Sequence, residues 1–312
     1  YNYSSFDISD NVTASVQFTY TQVKAENMIA QVPMTAEPSA GPQWQIPYSA
    51  DSVFNVFNED ISHWRYRSVP FGPRKNQYDN DIFGVRFSLD GNFDMNENTY
   101  FWSVGYQQND ASYDQTGYNY INLANLRNAV GPSFKRTDGT FGCGTPSDTI
   151  TGCVPFNAFG GPDMGLSAGV ISQNVYDQIV KYVGYTLQGQ SGFDSEDFWA
   201  EISGPMFEMP YGVAYFAAGY EVRNQGYYER PDPLVAGGLS STNFQEATRG
   251  KTGSEEFFVE MNFPLLNGVV GAQELEMTIS ARSSEFTSGG IVGSGSVANS
   301  PGEPSTTEIG IR

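Results

Sequence analysis

Val12-Thr13-Ala14-Ser15-Val16-Gln17-Phe18-Thr19-Tyr20-Thr21 decides how this chain is read. Its even positions are apolar and its odd positions polar, and a period of two puts the two sets on opposite faces of a β-strand. One face suits hydrocarbon and the other water. The alternation returns at Phe83, Val85, Phe87 and Leu89, and again at Tyr100, Trp102, Val104 and Tyr106. Further along come Phe198, Ala200, Ile202 and Met206, then Ala214, Phe216, Ala218, Tyr220 and Val222. The last two runs are Phe257, Val259, Met261 and Phe263, followed by Leu275, Met277, Ile279 and Ala281.

The connections alternate in length. Ser9-Asp10-Asn11, residues 94–98, Met209-Pro210-Tyr211-Gly212 and residues 264–271 carry tight-turn chemistry. Between them lie long polar segments at about 25–80, 109–194, 229–253 and 283–304, the last rich in Gly and Ser and expected to be mobile. The second long segment holds two helix-like pieces, 121–130 and 172–183, the latter with Val175, Ile179, Tyr182 and Val183 near helical spacing behind a Ser172 cap. A short-long rhythm is the up-and-down topology of an outer-membrane barrel, with short turns at one rim and long loops at the other. The expected fold is therefore all-β: an antiparallel up-and-down transmembrane β-barrel, partial, of about nine strands, with short helices in its extracellular loops. A soluble sandwich would mix connection lengths through its Greek-key crossings.

Composition agrees. The 312 residues are 39% apolar and 16% charged, which fits neither a disordered tail nor a bundle of membrane helices. No apolar run approaches the roughly 18 residues of a spanning helix, so only a closed barrel would cross a bilayer. A net charge of −19 argues against a nucleic-acid partner, whose phosphates would be repelled. Aromatic residues reach 14%, with 19 Tyr, in keeping with aromatic girdles and sugar-stacking surfaces. The chain opens on Tyr1 without a leader and stops at Ile311-Arg312 inside an apparent strand, and it reads as a fragment spanning 1–312 of a longer barrel.

Cys143 and Cys153 lie in a Gly/Thr/Pro-rich loop at a spacing that closes a small ring in an oxidising compartment. Such a bridge would contribute roughly 2 to 3 kcal/mol. Gly165-Leu166-Ser167-Ala168-Gly169 fits a nucleophile elbow by letter, but no hydrophobic strand precedes it and the sole histidine, His63, lies upstream. Glu260, Glu274 and Glu276 fall on facing strands, where a glycosidase pair is outweighed by carboxylates solvated in a lumen. No enzymatic activity and no cofactor are expected. One His and two Cys assemble no His/Cys metal site, and the loop carboxylates Asp110, Asp114, Glu229 and Asp232 lack EF-hand spacing.

In the barrel register Arg86, Glu221, Arg223, Glu260, Glu276 and Arg282 face the lumen. The candidate substrate-binding residues are the loop aromatics. Trp44, Tyr48, Trp64 and Tyr66 lie in the first long segment, Tyr113, Tyr118 and Tyr120 in the second, and Tyr227 and Tyr228 beside the third. Their stacking faces and hydroxyl tips suit sugars or aromatic chelators, while some would pack the loops together or sit in the interfacial girdle.

Several segments together resemble the TonB-dependent receptors of Gram-negative outer membranes, in the branch with very long surface loops. They are residues 58–74 ending in Phe71-Gly72-Pro73-Arg74, Cys153-Val154-Pro155-Phe156-Asn157-Ala158-Phe159-Gly160-Gly161, and Ala217-Ala218-Gly219-Tyr220-Glu221-Val222-Arg223. Arg230-Pro231-Asp232-Pro233-Leu234 follows, and the most specific is Glu256-Phe257-Phe258-Val259-Glu260-Met261-Asn262-Phe263-Pro264-Leu265-Leu266 leading into Leu275-Glu276. The resemblance spans most of the chain and implies active uptake of a scarce nutrient, an oligosaccharide or an iron chelate, in the outer membrane. It implies contact with outer-membrane lipid and lipopolysaccharide, and energy from the inner-membrane TonB complex through an N-terminal plug inside a 22-stranded barrel. Plug, TonB-contacting segment, signal peptide and aromatic-ended last strand are not in the sequence. A passive porin and a secreted carbohydrate-binding β-sandwich are the alternatives.

Overall fold

The computed structural model describes residues 1–312 except Pro38, Ala40 and Gly271. Ten strands form one antiparallel sheet: β1 (Asn2–Ser9), β2 (Val12–Ile29), β3 (Arg74–Met95), β4 (Asn98–Ile121) and β5 (Gly184–Met209), then β6 (Gly212–Arg230), β7 (Thr248–Val269), β8 (Ala272–Val292), β9 (Gly295–Gly302) and β10 (Ser305–Ile311). Each pairs with its neighbour in sequence, except that β10 pairs with β8. β9 and β10 lie end to end along β8, parted at Glu303 and Pro304, and so fill one position between them. Nine strand positions result, the number read from the alternation.

The sheet is all antiparallel, but it is not closed. Among the described residues β1 pairs only with β2, and the β9/β10 position only with β8. The all-β antiparallel sheet expected from the alternation is present, as an open sheet and not as a closed barrel.

The tight turns fall where the sequence places them, at Asp10 and Asn11, at Asn96 and Glu97, and at Pro210 and Tyr211. Asn96 (φ 51°) and Glu97 (φ 65°) are both left-handed, the conformation of a two-residue hairpin turn whose twist matches its strands. At the fourth turn the strand runs past Pro264, with an irregularity before Leu266, to Val269, so that turn is shorter than expected; Gly271 lies outside the described residues.

The long connections begin later and end sooner than the hydropathy pattern indicates. The segments expected at 25–80, 109–194 and 229–253 shrink to 30–73, 122–183 and 231–247. The expected mobile segment 283–304 is mostly strand, with a turn at Gly293 and Ser294. β5 reaches 26 residues and β4 24. In runs such as Gln107-Gln108-Asn109-Asp110 both faces are polar and no alternation survives, yet the backbone ladder continues unbroken from Phe101 to Gly117 against β5.

Most of the buried core lies outside the sheet. It is built by the segments 30–73 and 122–183, which fold together at the loop end into a cap around Met34, Ile46, Tyr48, Leu126, Phe156 and Ile179. Pro33–Ala36 pairs with Trp64–Arg67, and Ser133–Lys135 with Phe141–Thr145. Helix α1 (Leu123–Val130) starts at Asn122, whose side chain accepts from the amides of Ala124 (3.0 Å) and Asn125 (3.1 Å). Helix α2 (Gln173–Val183) starts at Ser172, whose hydroxyl accepts from Val175 N at 3.3 Å. Such caps satisfy amide groups that have no partner inside the helix, each worth about 0.5 to 2 kcal/mol. Both helices turn their apolar stripe inward, burying Leu123, Leu126, Ala129 and Val130 from one and Ile179 and Val183 from the other. Cys143 and Cys153 are disulfide-bonded inside this core. At about 1.5 to 3 kcal/mol for each large apolar side chain removed from water, the cap holds most of the chain's hydrophobic stabilisation.

Candidate functional site

The two faces of the sheet separate as the period of two requires. On the apolar face, Phe18 is 44% exposed, Phe87 45% and Phe257 54%, and among the described residues no second sheet covers them. On the other face lie Thr13, Ser15, Gln17, Ser88, Ser103 and Glu201. A cavity of about 530 Å³ on this polar face is lined by Thr13, Asp90, Ser103, Glu201, Ala217 and Phe258, which come from six neighbouring strands. The sheet therefore curls toward its polar side and presents its apolar side outward.

The outer band is bounded. A lateral row of paired residues runs through Val12, Gly91, Trp102, Ile202, Ala218, Val259 and Ala281. Toward the loop end from this row, the outer face stays apolar to Tyr20 on β2 and Phe83 on β3, then to Tyr106, Phe198 and Val222 on β4 to β6. On β7 it ends at Phe257, and on β8 Ala281 is already the last, with Ser283 next. Counted in residues, the edge drifts by eight from β2 to β8.

The tight turns drift the same way. The last pair before each turn is Ser9–Val12, Met95–Asn98, Met209–Gly212 and Val269–Ala272. Measured from the row on β2, β4, β6 and β8, these ends lie at none, four, six and nine residues. Six strand spacings of about 4.8 Å against eight or nine residues of about 3.3 Å give a slant of roughly 45°. Both margins of the band thus cross the strands obliquely and in step.

At the upper margin, outward tyrosines point their hydroxyls away from the band. Tyr20 donates to Asp81 at 2.6 Å, and Tyr220 to Glu255 at 2.5 Å. Above them the outer face is charged, with Lys24–Asp79 at 3.1 Å and Lys75–Glu26 at 2.8 Å. Hydrogen bonds from Lys75 and Gln77 hold the Glu26 carboxyl below the usual glutamate range.

The register puts Arg86, Glu221, Arg223, Glu260, Glu276 and Arg282 together on the polar face. Arg223 pairs with Asp197 (2.7 Å) and Glu221 (2.5 Å), and Arg282 pairs with Glu256. Glu276 accepts from Asn262 at 3.3 Å. These pairs are partly exposed, so their geometry sets side-chain position more than stability.

The candidate aromatics separate into three groups. Tyr48, Trp64 and Tyr66 are buried in the cap, and their polar atoms are taken by carbonyls: Tyr48 donates to Phe156 O (2.7 Å), Trp64 Nε1 to Ile46 O (2.8 Å) and Tyr66 to Pro162 O (3.0 Å). Burial pushes the Tyr48 hydroxyl up to about 12 and moves Tyr66 in the same direction. Trp44 packs on the same core. Tyr48, Trp64 and Tyr66 hold the loops together and have no free face for stacking on a ligand, whereas Trp44 is only partly buried. Tyr118 and Tyr228 stand on the outer side of the strand ends, Tyr118 bonded to Gln77 (3.1 Å) and Tyr228 under the Arg230 guanidinium (4.8 Å). Tyr113, Tyr120 and Tyr227 remain on the inner side.

Tyr113 and Tyr120 border a second cavity, of about 410 Å³, at the loop end of the polar face. Its floor is two adjacent rows of the sheet: Asn80, Tyr113, Ser191 and Glu229, and beside it Tyr78, Gln115 and Gly189. Its wall is the 231–247 segment, held by Leu123 N to Leu239 O (2.9 Å) and by Asp232. That carboxylate accepts from the amides of Gln188 (2.9 Å) and Leu234 (2.8 Å). Val235 packs against Tyr120 and Leu187 behind it. Tyr78, Asn80, Gln115 and Gly189 were not singled out in the sequence; the only sign of them is an aromatic and amide alternation in segments that read as loop.

Ser167 follows a 3-10 turn (Gly161–Asp163), not a strand, and its hydroxyl donates to Asp163, whose carboxyl is held below its usual range by that bond and by backbone amides. It closes a loop and lacks the strand-turn-helix setting of an elbow. Among the described residues no group of three or more His, Cys, Asp or Glu is placed to hold a metal, and no helix is long and apolar enough to cross a membrane. No protein family, curated protein or solved structure matches the chain.

Proposed function

We propose that this chain is the central wall of a TonB-dependent outer-membrane receptor, whose polar face and cap help to capture a scarce nutrient. The observation that carries the reading is the slanted outer band. Strands of membrane barrels tilt by roughly 35 to 45° from the bilayer normal, so a band level with the membrane must cross the strands obliquely and the turns must step with it. A drift of eight residues at one margin and nine at the other fits that tilt. A water-soluble sandwich gives no reason for it, and would lay a second sheet on Phe18, Phe87 and Phe257.

In this reading nine positions form an arc of a larger closed wall, and further strands cover the open edges of β1 and of β9 and β10. Tyr20 and Tyr220 belong to the aromatic girdle. The arginine and carboxylate pairs on the polar face line the lumen. The cap stands at the outer rim, and the plug and TonB contacts of such a receptor belong to the parent protein.

The test is expression of the parent gene in a Gram-negative host, followed by membrane fractionation and electrophoresis with and without heating. The reading predicts outer-membrane recovery and heat-shifted migration. Recovery in the soluble fraction would contradict it.

A further inference from the structure

Within the receptor reading, on which this inference rests, we infer that the 410 Å³ cavity at the loop end of the polar face takes a neutral oligosaccharide and not an anionic iron chelate. Its volume lies in the range of small-molecule sites, roughly 300 to 1,000 Å³. Its chemistry narrows the class.

Tyr78, Asn80 and Tyr113 line the cavity, and outside the backbone ladder their side chains make no hydrogen bond to another described residue. Gln245 on the wall is likewise without a partner. Two phenol rings and two amides thus converge with donors and acceptors uncommitted, beside the Glu229 carboxylate, which accepts from Tyr227 at 3.2 Å. Ring faces beside amides and a carboxylate match a pyranose, which has an apolar C–H face and an edge of hydroxyls that both donate and accept.

Gly189 shapes the floor. A Cβ built there would meet nothing nearer than Gln115 Oε1 at 3.9 Å and Arg230 O at 4.0 Å, so the glycine leaves the sheet backbone open to the ligand. The negative groups that face it are Glu229 and Asp232, while Asp114, bonded to Gln190, turns outward. Arg230, the one cation among the described lining residues, is drawn away, with its guanidinium 4.8 Å over the outward Tyr228 ring. A ferric catecholate or other polyanion would meet repulsion here without compensation, while a neutral sugar would not.

Gly189→Leu fills the cavity without touching the fold, since the space at its Cβ is open. The experiment uses the detergent-purified parent protein and measures binding of maltohexaose, cellohexaose, xylohexaose and mannohexaose, and of ferric tris-catecholate, by titration calorimetry. Saturable binding of at least one hexasaccharide, weakened at least tenfold by Gly189→Leu and by Tyr113→Ala but less than threefold by Gly189→Ala, is the expected result. Binding of none of the four sugars, binding that Gly189→Leu leaves unchanged, or tighter binding of the ferric chelate would overturn the inference. Failure of the chain to reach the outer membrane overturns the receptor reading alone, because cavity binding is measured separately.

Discussion

The guanidinium of Arg86 lies 4.6 Å from the centre of the Trp199 ring, across an intervening strand. Arg86 is on β3 and Trp199 on β5, and Gly105 of β4 lies between them. The indole reaches the arginine because Gly105 has no side chain: a Cβ there would sit 2.1 Å from the ring.

Gly105→Ala should therefore expel Trp199 from its place and break the cation-π contact. The expected cost is about 1 to 3 kcal/mol, the usual range for overpacking a fitted site. A lowered unfolding midpoint of the parent in urea, with Trp199 fluorescence shifted to the red, would show it. Thr19→Ala, on the same face of β2 and without a side-chain bond to Trp199, should leave both readouts within error.

The cap makes the disulfide testable. Reduction, or Cys143→Ser with Cys153→Ser, removes a ring of about ten residues and should cost the cap roughly 2 to 3 kcal/mol. Limited proteolysis should then cut within 133–155 in reductant and not without it, while the sheet strands stay resistant.

Alkaline pH should loosen the cap. Burial raises the Tyr48 hydroxyl from its ordinary 10.0 to about 12, so the neutral form is favoured in the folded state. Its contribution is whole below pH 10 and is lost as pH rises through about 12. Tyrosinate absorbance followed together with proteolysis should show the cap opening in that window. Tyr48→Phe cannot ionise; it should flatten the response at a cost of about 1 kcal/mol for the lost bond to Phe156 O.

Strands are legible in a sequence where their two faces differ in polarity. Val12 to Thr21 shows its register at sight because one face is apolar and the other polar, and the turns at Asp10-Asn11 and Asn96-Glu97 carry their own chemistry. Strand ends such as 107–117 on β4 are largely polar on both faces, so hydropathy loses its period while backbone hydrogen bonds carry the ladder on. β9 was hidden for a related reason: Gly295-Ser296-Val297-Ala298-Asn299-Ser300-Pro301-Gly302 reads as a flexible segment, and only pairing with β8 makes it a strand. Tyr48, Trp64 and Tyr66 show a different limit. An aromatic in a polar segment has the same composition whether it meets a ligand or another loop, and what sends these three inward is contact between stretches apart in the chain, 108 residues between Tyr48 and Phe156, 96 between Tyr66 and Pro162 and 18 between Trp64 and Ile46. Ser172 and helix α2 behind it were legible because a cap and its helix are local.

The orientation of the two faces is tested most directly by single cysteines on either side, read by spin-label depth measurements in lipid. Labels replacing Phe18, Val104 and Ala218 should be quenched by dissolved oxygen and shielded from a water-soluble nickel chelate, and those replacing Gln17, Ser103 and Ala217 should show the reverse. Labels at Phe18, Val104 and Ala218 that meet the nickel chelate as freely as the others would contradict the account.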